Sequence, residues 1–131
     1  MRLYLVRHAE AAPGEPDELR SLTPEGRRQA TRVAERLSES GAQPSAVLCS
    51  PLLRARETAE LIAEPFGLAP DSDDRLAPGA TADGVRAAVA GRGEAVVVVG
   101  HQPDCGRIAA ELTGGAEPAF PPGGLVELDL S

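Results

Sequence analysis

The sequence predicts an α/β fold, a mostly parallel sheet covered on both faces by helices in three layers. Two observations carry this expectation. Short apolar, β-branched runs alternate along the chain with segments whose apolar residues recur at helical spacing, the pattern of successive βαβ units. The run Ala95 to Val99 (AVVVV) is apolar without a break, as a central strand buried on both faces requires. The length of 131 residues fits a single domain, residues 1–131.

The elements follow in order. Arg2 to Val6 (RLYLV) reads as a buried strand. Thr23-Pro24 is an N-cap followed by proline at the first helical position. Ala30, Val33, Ala34 and Leu37 form the apolar stripe of that helix, and Gly41 stops it. Ala46 to Cys49 is a second strand. Ser50-Pro51 repeats the cap signal before a helix carrying Ala55, Ala59, Ile62 and Ala63, which ends at Pro65 and Gly67. Residues 65–80, rich in proline, glycine and aspartate, read as a connection with one short strand at Arg75-Leu76. Thr81 caps a short helix to about Ala90, the AVVVV strand follows, and Gln102 to Leu112 is helical, with Gly114-Gly115 after it. Leu125 to Leu130 alternates apolar and acidic residues, as an edge strand does.

Composition narrows the chemistry. All 13 basic residues are Arg, against 20 Asp and Glu, for a net charge of −7. Without Lys there is no Walker-type phosphate loop and no Schiff-base chemistry. The acidic balance speaks against nucleic acid and anionic membrane as partners. With no Trp, one Tyr and two Phe, the core must be aliphatic. Cys49 and Cys105 are isolated and read as small core residues. The start of the chain lacks the zones of a signal peptide, and no apolar run approaches a membrane span, so a reduced, cytoplasmic protein is expected.

In open parallel sheets ligands gather beyond the carboxyl ends of the strands. Here the first strand ends in Arg7-His8-Ala9-Glu10, the second in Ser50-Pro51-Leu52-Leu53-Arg54, and the AVVVV strand in Gly100-His101-Gln102-Pro103. Both histidines of the protein thus fall at one rim, and two of the three segments open into helices whose N-termini favour an anion. Arg forks match phosphate oxygens, and neutral imidazole is a competent nucleophile. An Arg-His pair after a single strand is more often a solvated loop with a surface ion pair; the convergence of both histidines with Arg54 favours a phosphate site. A metal site built from His8, Glu10, His101 and Asp104 is the rival reading. The His8-x-Glu10 spacing lacks the P-C-x-x-C of zinc deaminases. Cys49 lies one position too close to Arg54 for a C-x5-R phosphatase loop, and Ser50 has no G-x-S-x-G elbow.

Arg7-His8, Leu22-Thr23-Pro24-Glu25-Gly26, Ser50-Pro51-Leu52-Leu53-Arg54-Ala55 and Gly100-His101, in this order over nearly the whole chain, resemble the histidine phosphatase superfamily. With Arg75-Leu76-Ala77-Pro78-Gly79 the resemblance is nearest to its short SixA-type phosphohistidine phosphatases. Position 9 is Ala where the family commonly has Gly. The resemblance implies the phosphoglycerate-mutase-like α/β/α fold with one antiparallel edge strand. It implies His8 as the nucleophile that becomes a phosphohistidine, Arg7, Arg54 and His101 as its phosphate-holding partners, and no metal or other cofactor. Arg20 and Ser50 are expected to contact substrate. Asp17 is the candidate acid, a solvated loop charge being the alternative. The ring nitrogen of His8 that does not attack is expected to donate to a backbone carbonyl.

Larger members of the superfamily carry a Glu acid between the second helix and the third strand. Here that stretch offers Arg75, Leu76 and Ala77. A phosphoramidate suits such a site, because a leaving imidazole takes its own proton near a pKa of about 6.5. Only residues 65–94 are available to cover the site, so it should be shallow and open to phosphohistidine on a protein surface. Two alternatives stand beside this: a phosphomonoesterase of the same superfamily acting on a small phosphorylated metabolite, and a non-catalytic phosphate-binding module.

Overall fold

The computed structural model describes residues 1–130. Its elements run β1 (Arg2–Arg7), a 3-10 turn (Asp17–Leu19), α1 (Pro24–Glu39), β2 (Ala46–Cys49) and α2 (Leu53–Ala63), the last continuing into a turn at Glu64–Phe66. After these come β3 (Asp71–Ser72), a 3-10 turn (Asp74–Leu76), α3 (Ala82–Val89), β4 (Ala95–Gly100), α4 (Asp104–Thr113) and β5 (Leu125–Asp129). The strands form one sheet in the order β3-β2-β4-β1-β5. Three pairings are parallel, and β5 joins β1 antiparallel at one edge.

Residue alternation in the strands divides the core between two faces. Leu3 and Leu5 of β1, Leu48 of β2 and Val96 and Val98 of β4 pack with Val85 and Val89 of α3 and Ile108 and Ala109 of α4. Tyr4, Val6, Val47, Cys49, Val97 and Val99 face the other way, against Val33 and Leu37 of α1 and Ala55, Ala59 and Ile62 of α2. Each fully buried Val, Leu or Ile in these layers contributes about 1.5–3 kcal/mol. Both cysteines are free and buried among these aliphatic side chains.

The helix signals at Thr23 and Thr81 are realised. Thr23 Oγ1 accepts from Gly26 N at 2.9 Å, and Thr81 Oγ1 accepts from Gly84 N at 3.0 Å. Gly114, at φ 73°, ends α4 in a left-handed conformation suited to glycine.

Three expectations are corrected. The short strand lies at Asp71–Ser72, not at Arg75-Leu76. The Asp73 carboxylate accepts from the Arg75 backbone at 2.9 Å and from its guanidinium at 3.0 and 2.7 Å, closing a 3-10 turn that buries Leu76. Ser50 does not cap α2, which starts at Leu53 after a non-helical Pro51-Leu52. The last helix starts at Asp104, with Gln102 outside it; the Gln102 side chain instead accepts from Gly106 N at 2.8 Å.

Register sets the rim. Val6 and Cys49 both lie opposite Val99, and Arg7 opposite Gly100, so the residues that follow these strands emerge side by side. The ladder continues beyond them: His8 N donates to Gly100 O at 2.9 Å and Ser50 N to Val99 O at 3.0 Å. Among the described residues no helix is long and apolar enough to cross a membrane.

Candidate active site

The two imidazole rings stand 5.1 Å apart between centroids, tilted by 60°. His8 Nδ1 lies 2.7 Å from Ala9 O. A carbonyl can only accept, so Nδ1 carries the proton and Nε2 keeps its lone pair. His101 Nε2 lies 2.8 Å from Ser50 Oγ, which also accepts from Leu52 N at 3.2 Å. Ser50 is fully buried, and its hydroxyl proton has no other described acceptor. It therefore points at His101 Nε2, leaving Nδ1–H as that ring's donor.

Burial lowers both pKa values from 6.5 to about 4. For His8 the Arg54, Arg7 and Arg20 charges add to desolvation, and the Ala9 carbonyl opposes it. For His101 the lowering continues through His8 and Arg54, opposed by Asp104 and Asp17. Both rings are neutral at physiological pH.

The arginines approach from three segments. Arg7 Nη1 donates to Phe120 O at 3.0 Å, while its Nε is a buried side-chain nitrogen with no partner among the described residues. Arg54, 7% exposed in the first turn of α2, donates from Nη1 to Asp17 O at 2.9 Å and from Nη2 to Asp17 Oδ2 at 3.2 Å. Arg20 holds the other carboxylate oxygen from Nη1 at 3.0 Å and donates from Nε to Ala12 O at 2.9 Å. The Arg20 and Arg54 guanidinium groups keep the Asp17 carboxyl below the usual carboxylate range.

The structure thus gathers His8, His101, Arg7, Arg54, Arg20 and Asp17 at one rim. Ser50 is fully buried beneath it and meets the site through His101. Glu10 turns aside to Thr23 Oγ1, from which it accepts at 3.0 Å. Asp104 is buried and accepts from Gly79 N at 2.7 Å and from Arg107 Nη2 at 2.6 Å, tying the 77–80 loop to the turn after His101. Among the described residues no group of three or more His, Cys, Asp or Glu side chains could hold a metal ion.

Two site-building residues were not singled out from sequence. Glu57 accepts from Ser21 Oγ at 2.9 Å and Leu22 N at 2.8 Å, and Thr58 bonds the backbone beside His8. Their signal is position: they follow Arg54 at i+3 and i+4, and so share its helix face toward the rim.

The sequence profile of the histidine phosphatase superfamily (branch 1) matches residues 3–78. A protein of Picosynechococcus sp. with no assigned activity is 40% identical over 124 residues, covering 88% of this chain and 74% of that protein. The mitochondrial serine/threonine-protein phosphatase Pgam5 of Drosophila ananassae is 46% identical over 61 residues, covering 46% of this chain and 21% of its own length. The structure of the protein histidine phosphatase SixA complexed with tungstate superposes with a TM-score of 0.89 at 27% identity, covering 99% of this chain and 88% of that one. The chain belongs to the histidine phosphatase superfamily, branch 1, with a SixA-like fold, and is a phosphatase.

Proposed function

We propose that the chain, acting as one domain and without a metal, removes phosphate from phosphohistidine on a protein. His8 Nε2 attacks phosphorus, a P–N bond to His8 forms, and the bond to the substrate imidazole breaks. The substrate ring takes a proton from solvent at its other nitrogen and leaves as neutral imidazole. Water then attacks the phosphorylated His8 and releases inorganic phosphate, returning the ring to its neutral state. Arg7, Arg54 and the Nδ1–H of His101 hold the phosphoryl oxygens, whose charge is greatest as the group transfers.

The observation that carries this reading is a neutral His8 whose Nδ1 is committed to Ala9 O, set among the charges of Arg54, Arg7 and Arg20.

Two features favour a phosphoramidate on a protein. The carboxylate nearest the arginines, Asp17, is held ionised by two of them and so is a poor proton donor. A leaving group that supplies its own basic nitrogen needs no such donor. Surface hollows lie at the amino ends of the strands (Met1, Arg86, Glu94) and between α1 and α2 (Ala34, Leu61, Pro65), away from the rim. An open rim would suit a side chain presented by a macromolecule better than an enclosed metabolite. The likeness to SixA, a protein histidine phosphatase, supports the same choice.

The substrate class is tested by comparing kcat/KM for phosphohistidine-bearing proteins with that for sugar phosphates and other small phosphomonoesters. The phosphohistidine protein is expected to be preferred by at least two orders of magnitude. Equal or reversed preference contradicts the protein reading and favours the metabolite phosphatase.

A further inference from the structure

We propose that Thr58 is a positioning residue for His8, its hydroxyl fixing the N–H of Ala9, the residue whose carbonyl orients the ring. The proposal rests on His8 being the nucleophile.

Thr58 is fully buried in α2, in line with Ala55, Ala59 and Ile62. Valine, with the same shape, would satisfy packing there, and a hydroxyl in such surroundings is unfavourable unless hydrogen-bonded. Both capacities of this hydroxyl are used. It donates to Arg54 O, four residues back in its own helix, at 2.7 Å. It accepts from Ala9 N at 3.0 Å. The first bond aims the oxygen; the second reaches across 49 residues of sequence to the segment just beyond β1.

The Ala9 residue held in this way is the one whose carbonyl accepts from His8 Nδ1 at 2.7 Å. Arg54 O, Thr58 Oγ1, the Ala9 backbone and His8 Nδ1 therefore form one chain of hydrogen bonds. It links the helix turn that carries Arg54 to the imidazole that faces the incoming phosphorus. Ala9 itself is buried against Leu22 and Ala30, which limits how the segment settles if the hydroxyl is lost. Without it the Ala9 N–H loses its acceptor, and the Ala9 carbonyl, whose own peptide is held on the far side by Glu10 N donating to Gln29 Oε1 at 2.8 Å, is less firmly aimed at the Nδ1 proton whose tautomer it selects.

The test compares Thr58→Val and Thr58→Ser with the unaltered enzyme by steady-state kinetics and by 15N NMR of the His8 ring. Thr58→Val is expected to lower kcat by about 10- to 100-fold with KM little changed, the scale of a small misplacement of a reacting group. Its His8 spectrum should shift from the pure Nδ1–H tautomer toward a mixture. Thr58→Ser should restore both the rate and the spectrum. A folded Thr58→Val enzyme with unaltered kcat and an unaltered His8 tautomer overturns the proposal.

If Thr58→Val fails to fold, the unaltered enzyme decides: His8 must show a protonated Nδ1 and an unprotonated Nε2 between pH 6 and 8, and the Thr58→Ser enzyme must retain both. The opposite tautomer, or its loss in Thr58→Ser, overturns the proposal. A His8→Ala enzyme that keeps its activity would instead remove the nucleophile reading. The ring measurements do not depend on activity, so the two failures are distinguishable.

Discussion

Asp17 Oδ2 lies 3.2 Å from Arg54 Nη2, and the backbone carbonyl of the same residue accepts from Arg54 Nη1 at 2.9 Å. One loop residue thus engages two nitrogens of a guanidinium otherwise buried in α2. On the proposed mechanism, an incoming phosphoryl group would meet the Asp17 carboxylate as a competing anion. Asp17→Asn keeps the shape and removes the charge. Inorganic phosphate is expected to inhibit the variant at several-fold lower concentration, with kcat toward phosphohistidine changed by no more than about fivefold, the scale of an exposed ion pair. A fall in kcat of about a hundredfold or more would instead mark Asp17 as the proton donor.

His8 and His101 set the pH behaviour. With both pKa values lowered from 6.5 to about 4, the proposed nucleophile stays neutral well below the range of free imidazole. The acid limb of kcat/KM, measured from pH 8 to 4, is expected near 4; a limb near 6.5 would mean the ring is solvated.

Stability follows from the same shifts. The unfolded chain binds protons at these residues below about 6.5, whereas the folded chain does so only near 4, so folding stability rises with pH across that window. It should be fully present above pH 6.5 and decline as pH falls toward 4. The carboxyls of Asp17, Glu25 and Asp73, held below their ordinary range, add to the loss only at the acid end. A denaturation midpoint that stays constant between pH 7 and 5 would contradict the neutral pair.

Gly26 ties the first turn of α1 to the loop after His8. A Cβ built there would lie 2.0 Å from Glu10 O, and Glu10 O already accepts from Thr23 N at 3.0 Å. The obstacle is backbone, so it cannot rotate aside. Gly26→Ala is expected to destabilise the fold by about 1–3 kcal/mol and to lower kcat as Glu10 carries its neighbours away from the rim. Thermal unfolding and kinetics on one preparation check both, and an unchanged melting temperature would refute the packing constraint.

The rim was legible in sequence because strand ends are abrupt. RLYLV gives way to Arg7-His8 and AVVVV to Gly100-His101 within one residue, and parallel pairing then brings the ends together. The two packing faces were also legible, since alternation in strands and helical spacing in α1 and α2 reflect burial directly.

What stayed hidden are contacts between polar side chains and backbone far away in sequence. Thr58 to Ala9, Glu57 to Leu22 and Asp104 to Gly79 leave no periodic trace, because each depends on where one atom lies after packing. Ser50-Pro51 misled for a related reason. The cap signal is local, but the hydroxyl is drawn to His101, 51 residues on, and the helix begins later. Arg75-Leu76 looked like a strand until Asp73 captured Arg75 and closed a turn.

The central claim is that His8 carries the phosphoryl group. Rapid quench into alkali, with a protein bearing labelled phosphohistidine, tests it most directly. Label should appear on the enzyme within the first turnover, on a peptide containing His8, and should be absent from a folded His8→Ala enzyme that has lost turnover. Label on another residue, or full activity in His8→Ala, would contradict it.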